Sequence, residues 1–206
     1  MEIPYFIRYK DFTTIDPADL LYLDDVNSDV IKRVSVQDFA DELAPIIEPS
    51  LTKDRGSFYD TTTQTCTSGG IEAMRFNSVD SDATSGVSIV NNGSGHPTRI
   101  TVSKTGVYNI MFSAQLERTS GGTSKQVVIW MRKNGTDVAY TATHLAVQAN
   151  AIYLVAAWNF FIKLTAGQYC ELMWTQDDAI DLKYDPANTT VPYPATPSII
   201  LTVNEV

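Results

Sequence analysis

Ile100-Thr-Val-Ser-Lys-Thr-Gly-Val-Tyr-Asn-Ile-Met-Phe112, Val127-Val-Ile-Trp-Met-Arg-Lys-Asn-Gly-Thr136 and Phe160-Phe-Ile-Lys-Leu-Thr-Ala-Gly-Gln-Tyr-Cys-Glu-Leu172 together decide the fold. From Val107 to Leu116 the residues Tyr108, Ile110, Phe112, Ala114 and Leu116 share one face of an extended chain, and Asn109, Met111, Ser113 and Gln115 share the other. The first set is the predicted core. Asn134-Gly135 predicts a two-residue hairpin turn, because a type I′ turn needs positive φ at both central positions and these residues tolerate it. Val127 to Lys133 and Ala156 to Leu164 carry large apolar groups on both faces: Trp130 lies opposite Ile129 and Met131, and Phe161 opposite Trp158, Phe160 and Ile162. In an antiparallel sandwich one strand face meets the other sheet, and the second is solvated unless something covers it. The pattern predicts a mainly β, antiparallel sandwich with part of its outer surface covered.

Working outward, Ser198-Ile-Ile-Leu-Thr-Val203 reads as a final strand after a proline-punctuated loop from Asp185 to Pro197, and Phe58 to Cys66, rich in Thr and aromatics, reads as the first. Residues 51–57 read as a polar linker. Before it, Leu20-Leu-Tyr-Leu-Asp-Asp25 and Val30-Ile-Lys-Arg-Val34 predict a hairpin. Ser35 predicts an N-cap for a helix whose Val36, Phe39, Ala40 and Leu43 share one face, with Pro45 and Pro49 marking its exit. The expected organisation is therefore an N-terminal hairpin and helix over 1–50, a linker over 51–57 and a sandwich over 58–206.

The three opening phrases resemble the trimeric jelly roll shared by C1q globular heads and tumour necrosis factor, in which a "pGvY" strand, a "kNG" hairpin and an "LkaGd" strand pair recur in this order. That likeness implies a fold that displays, binds or trimerises. In that family aromatic residues of the inner strands pack around a threefold axis, which makes Trp130, Phe160, Phe161, Tyr169 and Trp174 the candidates for a subunit interface. The N-terminal phrase from Asp19 to Leu43 resembles a small module of bacteriophage fibre and virion proteins. It implies attachment to a particle, through the major capsid protein or another virion protein, with Leu21, Tyr22, Leu23, Phe39 and Leu43 as contact candidates. The ending Pro194 to Val203 is similar to phage-encoded versions.

Composition narrows the partners. Of 206 residues 44% are hydrophobic and 19% charged, and the net charge of −9 disfavours phosphate backbones, so no nucleic-acid partner is expected. Residues 1–50 hold eleven acidic and four basic side chains, which marks the arm as the acidic part. No apolar run has membrane-spanning length and no signal peptide opens the chain, so synthesis in a host cytoplasm and residence on a virion surface are expected, without membrane insertion.

Chemistry-bearing patterns are sparse. His96 lies near Ser94 in a Gly-rich loop, His144 sits in a Thr/Ala segment, and neither has a positioned third group; no enzymatic activity and no cofactor are expected. Cys66 and Cys170 read as buried free thiols. Asp177, Asp178 and Asp181 are weak candidates for a calcium ion, weighed against a solvated loop because their spacing matches no calcium-loop signature. Tyr184 and Tyr193 are candidates for exposed recognition of a glycan or protein. The expected function is a homotrimeric, non-enzymatic virion protein, either a capsid decoration or cement protein or a short head fibre. A receptor-binding tail fibre or tip protein is the alternative, and a soluble glycan- or protein-binding C1q-like module the second.

Overall fold

The computed structural model describes residues 20–25, 30–149 and 153–206, and of residues 20–25, 30–33 and 44–51 the backbone alone. The chain divides into two units, Met1–Thr52 and Lys53–Val206.

In the first unit β1 (Leu20–Asp25) pairs antiparallel with β2 (Val30–Ser35), and helix α1 (Val36–Leu51) follows directly. Ser35 caps the helix: its Oγ accepts the Asp38 N–H at 3.0 Å and donates to Asp38 Oδ2 at 2.7 Å. Phe39 and Leu43 are half-buried and Ala40 is exposed. The helix does not end at Pro45 or Pro49 but runs to Leu51. A proline removes one hydrogen bond but fixes φ in the helical range, so helical backbone can continue past it.

The second unit contains β3 (Arg55–Asp60), β4 (Gln64–Thr65), β5 (Glu72–Ala73), β6 (Ser78–Val79), β7 (Val87–Asn91), β8 (Pro97–Val102), β9 (Gly106–Arg118), β10 (Lys125–Lys133), β11 (Thr136–Asp137), β12 (Thr143–Val147), β13 (Leu154–Leu164), β14 (Tyr169–Gln176), β15 (Ile180–Leu182) and β16 (Ile199–Glu205). One sheet runs β13-β9-β16-β3-β6, with β15 and β4 extending it beside β9. The other runs β10-β14-β8-β7, with β11 and β12 on the free side of β10 and β5 on β14. The antiparallel pairs β3–β16, β8–β14, β9–β13 and β10–β12 are nested in sequence, as in one long hairpin rolled into two sheets. This nesting is the jelly roll, and the fold is a mainly β antiparallel sandwich of that type.

The core follows the predicted alternation. Tyr108, Ile110, Phe112, Ala114 and Leu116 are all buried. A row through the first sheet reads Trp158, Phe112, Leu201, Phe58 by strand register, and Trp158, Phe112 and Phe160 form a ring cluster with centroids 4.7 to 6.3 Å apart. At the hairpin, Asn134 and Gly135 both have positive φ, 46° and 82°. The first strand begins at Arg55 rather than Phe58, inside the expected linker. Arg55-Gly-Ser reads as linker because Gly56 takes an inward position where a Cβ would lie 2.5 Å from the Phe58 ring, leaving no apolar side chain to signal a strand.

A buried carboxylate closes the sandwich where its first and last strands meet. Asp54, 3% exposed, accepts hydrogen bonds at Oδ2 from Ser103 Oγ (3.0 Å) and the Lys104 N–H (3.2 Å), and the Tyr108 hydroxyl lies 3.1 Å away. The Lys104 ammonium stands 3.8 Å from Oδ1. The Asp54 N–H donates to Glu205 Oε2 and the Glu205 N–H to the Asp54 carbonyl, both at 2.9 Å. Burial and then the Asp54 charge push the Tyr108 hydroxyl well above its ordinary pKa. The phrase Ser103-Lys-Thr-Gly-Val-Tyr108 is thus the cradle of this carboxylate.

Candidate self-association face

The outward face of the first sheet is built by four adjacent strands, and their register places its residues in rows. One row reads Phe161, Asn109, Asn204, Arg55; the next Asn159, Met111, Thr202, Ser57; the next Ala157, Ser113, Ile200, Tyr59; and Val155 lies beside Gln115. Phe161 is 64% exposed, Val155 51%, and Met111 and Ile200 41% each. Between β13 and β16 these rows contain no charged residue, and Asn159 Nδ2 donates to Asn109 Oδ1 at 2.9 Å, so even the polar pair is satisfied within the sheet. Charge enters only at the margins, with Lys163 and Arg55 towards one end and Glu117, Asp181 and Lys183 at the other. An antiparallel sheet with a solvated face ordinarily carries polar and charged side chains there. This one has the composition of an interface centre: exposed apolar groups, depleted of charge, with a charged rim.

Of the five aromatic residues expected at a subunit interface, the sheet brings Phe161 to this face and turns the other four elsewhere. Trp174 is a correction: at 1% exposure it is packed between the sheets with Leu172 and Cys170. Trp130 is another. It lies on the outer side of the second sheet, opposite Met173, yet is 9% exposed, and its Nε1 donates to Asp137 Oδ1 at 2.8 Å. Phe160 points inward and stacks on Phe112 with centroids 6.2 Å apart. Tyr169 is on the second sheet, under the guanidinium of Arg99. Met111, Val155 and Ile200 were missed because each looks ordinary alone. The set Asn109, Met111, Ser113, Gln115 was the signal, since it is the face turned away from the core and yet carries no charge.

The remaining candidates are placed as follows. The side chains of Leu21, Tyr22 and Leu23 lie outside the described residues, while Phe39 and Leu43 occupy one face of α1. Asp177, Asp178 and Asp181 do not converge, and among the described residues there is no group of three acidic, histidine or cysteine side chains able to hold a metal ion. Asp177 Oδ2 accepts the Gln126 N–H at 3.0 Å, Asp178 pairs with Lys125 at 3.8 Å, and Asp181 lies across the sheet from Glu117 and Thr65. They pin a loop. Tyr184 is half-buried, and its backbone N–H donates to Thr63 Oγ1 at 3.2 Å; Tyr193 is exposed and its hydroxyl accepts Asn188 Nδ2 at 3.3 Å, bracing its own loop. Ser94 and His96 are neighbours because Asn92 Oδ1 accepts both of their backbone N–H groups, a turn arrangement. Cys66 and Cys170 are buried free thiols, both raised in pKa chiefly by burial. No helix among the described residues is long and apolar enough to cross a membrane.

No family model matches the chain, and no curated protein matches it. Among solved structures it is similar to the crystal structure of murine APRIL at pH 8.5, with 11% of residues identical, 75% of this chain and all of that chain covered, and a TM-score of 0.45.

The charged margin of the face carries a pH dependence. Asp181 is held above the usual carboxylate range by burial first and by Glu117 next, with Lys183 opposing; Lys183 in turn is raised by its 3.1 Å pair with Glu117. A carboxyl whose folded pKa exceeds its unfolded one destabilises the fold when ionised, and this penalty fades as pH falls through the folded pKa towards the ordinary value near ~4. Asp181→Asn is therefore expected to raise the melting temperature at pH 8, with the advantage over the parent shrinking as pH is lowered towards ~4. Thermal scans of both proteins across that range check it; an advantage that grows on acidification contradicts it.

Proposed function

We propose that this protein is a non-enzymatic structural component of a bacteriophage virion, assembled as a homotrimer on the particle surface, and serving as a capsid decoration or cement protein or a short head fibre. The observation that carries self-association is the charge-free, apolar outward face of the β13-β9-β16 sheet, which a lone sandwich would leave wet. The number three comes from the likeness of Ile100 to Leu172 to a trimeric jelly roll. Virion attachment is supported by the likeness of the acidic arm to phage modules, and by its size: a hairpin and one helix bury too little apolar surface to stand alone and need a partner.

Light scattering of the purified full chain tests the assembly, with a mass near three times the 22.7 kDa chain expected and a stable monomer refuting it. Cryo-microscopy of the particle tests the location: threefold density on capsid faces supports decoration, and density confined to the tail overturns it. A receptor-binding tail fibre or tip protein is the second reading, favoured by a polar cleft on the opposite sheet.

A further inference from the structure

That cleft lies on the outer side of the second sheet. Arg132 is the cross-strand partner of Glu171 on one side and of Asp137 on the other, and Arg99 sits one residue beyond the Ile100–Cys170 pair, beside Glu171. The four side chains, Asp137, Arg132, Glu171 and Arg99, thus form a transverse band of alternating charge. Arg132 Nε is committed to Asp137 Oδ1 at 2.8 Å. The Arg99 guanidinium lies 4.4 Å from the Tyr169 ring centroid, and its Nε is buried without a hydrogen-bond partner. Glu171 is 6% exposed and accepts the Thr98 hydroxyl at 2.5 Å. Around this floor the segment Ile71 to Ala73, the turn Asn92 to Ser94 and the hairpin glycine Gly135 raise walls about a cavity of about 300 Å³, at the small end of the range of ligand clefts.

The geometry points to a saccharide site: the cleft binds a neutral, hydroxyl-rich sugar. A sugar hydroxyl donates and accepts at once, and this surface offers both partners side by side, guanidinium N–H groups from Arg99 and carboxylate oxygens from Glu171 and Glu72. A phosphate or an acidic chain would meet Glu72 and Glu171, and an amine would meet Arg99 and Arg132. Neither charge is favoured, which leaves an uncharged polar ligand. Ile71, 56% exposed at the rim, supplies an apolar surface for the C–H side of a ring. The Asn92 turn is fixed by its own side chain, accepting the Ser94 and His96 N–H groups at 2.9 and 3.0 Å, so one wall is ordered in advance. All of these residues come from one chain, and the inference stands whether or not the chain assembles.

The test is titration of the full chain with the methyl glycosides of glucose, galactose, mannose and N-acetylglucosamine, with methyl glucuronide as the anionic comparator, followed by saturation-transfer NMR and calorimetry. At least one neutral glycoside is expected to bind, and Arg99→Ala and Glu171→Gln are each expected to weaken it by about tenfold or more, since the first removes the guanidinium donors and the second replaces a charged acceptor by a neutral amide. Glu171 is buried and its variant can fail to fold. Gly93→Phe then decides, because Gly93 lines the cleft and a Cβ added there meets nothing within 4 Å, so a bulky ring is brought to that wall without a clash at its first carbon. Binding abolished in Gly93→Phe with the melting temperature unchanged supports the site. No neutral glycoside bound up to millimolar concentration, tighter binding of the glucuronide than of the matching glucoside, or binding untouched by these variants overturns it.

Discussion

Asp54→Ala is expected to destabilise the sandwich by about 3–5 kcal/mol, the range for removing one partner of a buried, hydrogen-bonded charge. The loss is large because the substitution strands the Ser103 hydroxyl and the Lys104 amide, which both donate to one oxygen of a carboxylate only 3% exposed, while the Tyr108 hydroxyl beside them keeps the Lys104 carbonyl as acceptor at 2.8 Å. For a domain of this size the change corresponds to a fall of roughly 10 °C in melting temperature. Gly86→Ala should reproduce part of it from the other side. Its φ is +73° and an added Cβ would lie 2.0 Å from Asp54 Oδ1, so the carboxylate is pushed out of its cradle. A melting temperature within 2 °C or so of the parent for Asp54→Ala would mean that the cradle contributes little and that the strand ladder alone holds the ends.

Under the proposed trimeric assembly, Phe161→Asp is expected to change the mass in solution from three chains to one while leaving the melting transition cooperative. Phe161 is 64% exposed and points away from its own core, so the fold of a single chain loses little. In the proposed assembly the same position would lie at the buried centre of the contact, where an unpaired carboxylate costs several kcal/mol per subunit. Met111→Lys, in the adjacent row on β9, should act in the same direction, whereas Trp174→Ala should damage stability without selectively changing the mass, since that side chain lies wholly within the core. Unaltered mass in both Phe161→Asp and Met111→Lys would place the subunit contact elsewhere.

The contrast between Phe161 and Trp174 shows what could be seen in the sequence. Strand periodicity sorted each side chain onto one of two faces, and along β9 the sorting was right, with Tyr108, Ile110, Phe112, Ala114 and Leu116 all buried. The Asn134-Gly135 turn was equally legible, because its demand for positive φ is local. Which face points to the core is not local. In β10 Ile129 and Trp130 are both buried, one between the sheets and one beneath Asp137, and only the tertiary position of the β10–β11 hairpin distinguishes them. The cleft was illegible for the same reason: Arg99, Arg132 and Glu171 come from three strands and meet only through register. Asp54 was hidden in what reads as polar linker, and its partners lie about fifty residues later and at the far end of the chain.

The nesting of strand pairs also sets when the protein can finish folding. The innermost pairs join residues a few tens of positions apart, while β3 must wait for β16, with Asp54 and Glu205 separated by 151 positions. During synthesis β6 can reach β3 early, through the Phe58–Val79 and Tyr59–Ser78 pairs, but the other edge of β3 stays open until β16 has emerged about 150 residues after Asp54. Gly56 and the polar residues Arg55, Ser57 and Asp60 around that phenylalanine make it a poor template for a neighbouring nascent chain, a protection suited to a polypeptide whose copies, under the proposed assembly, must meet only after each has closed.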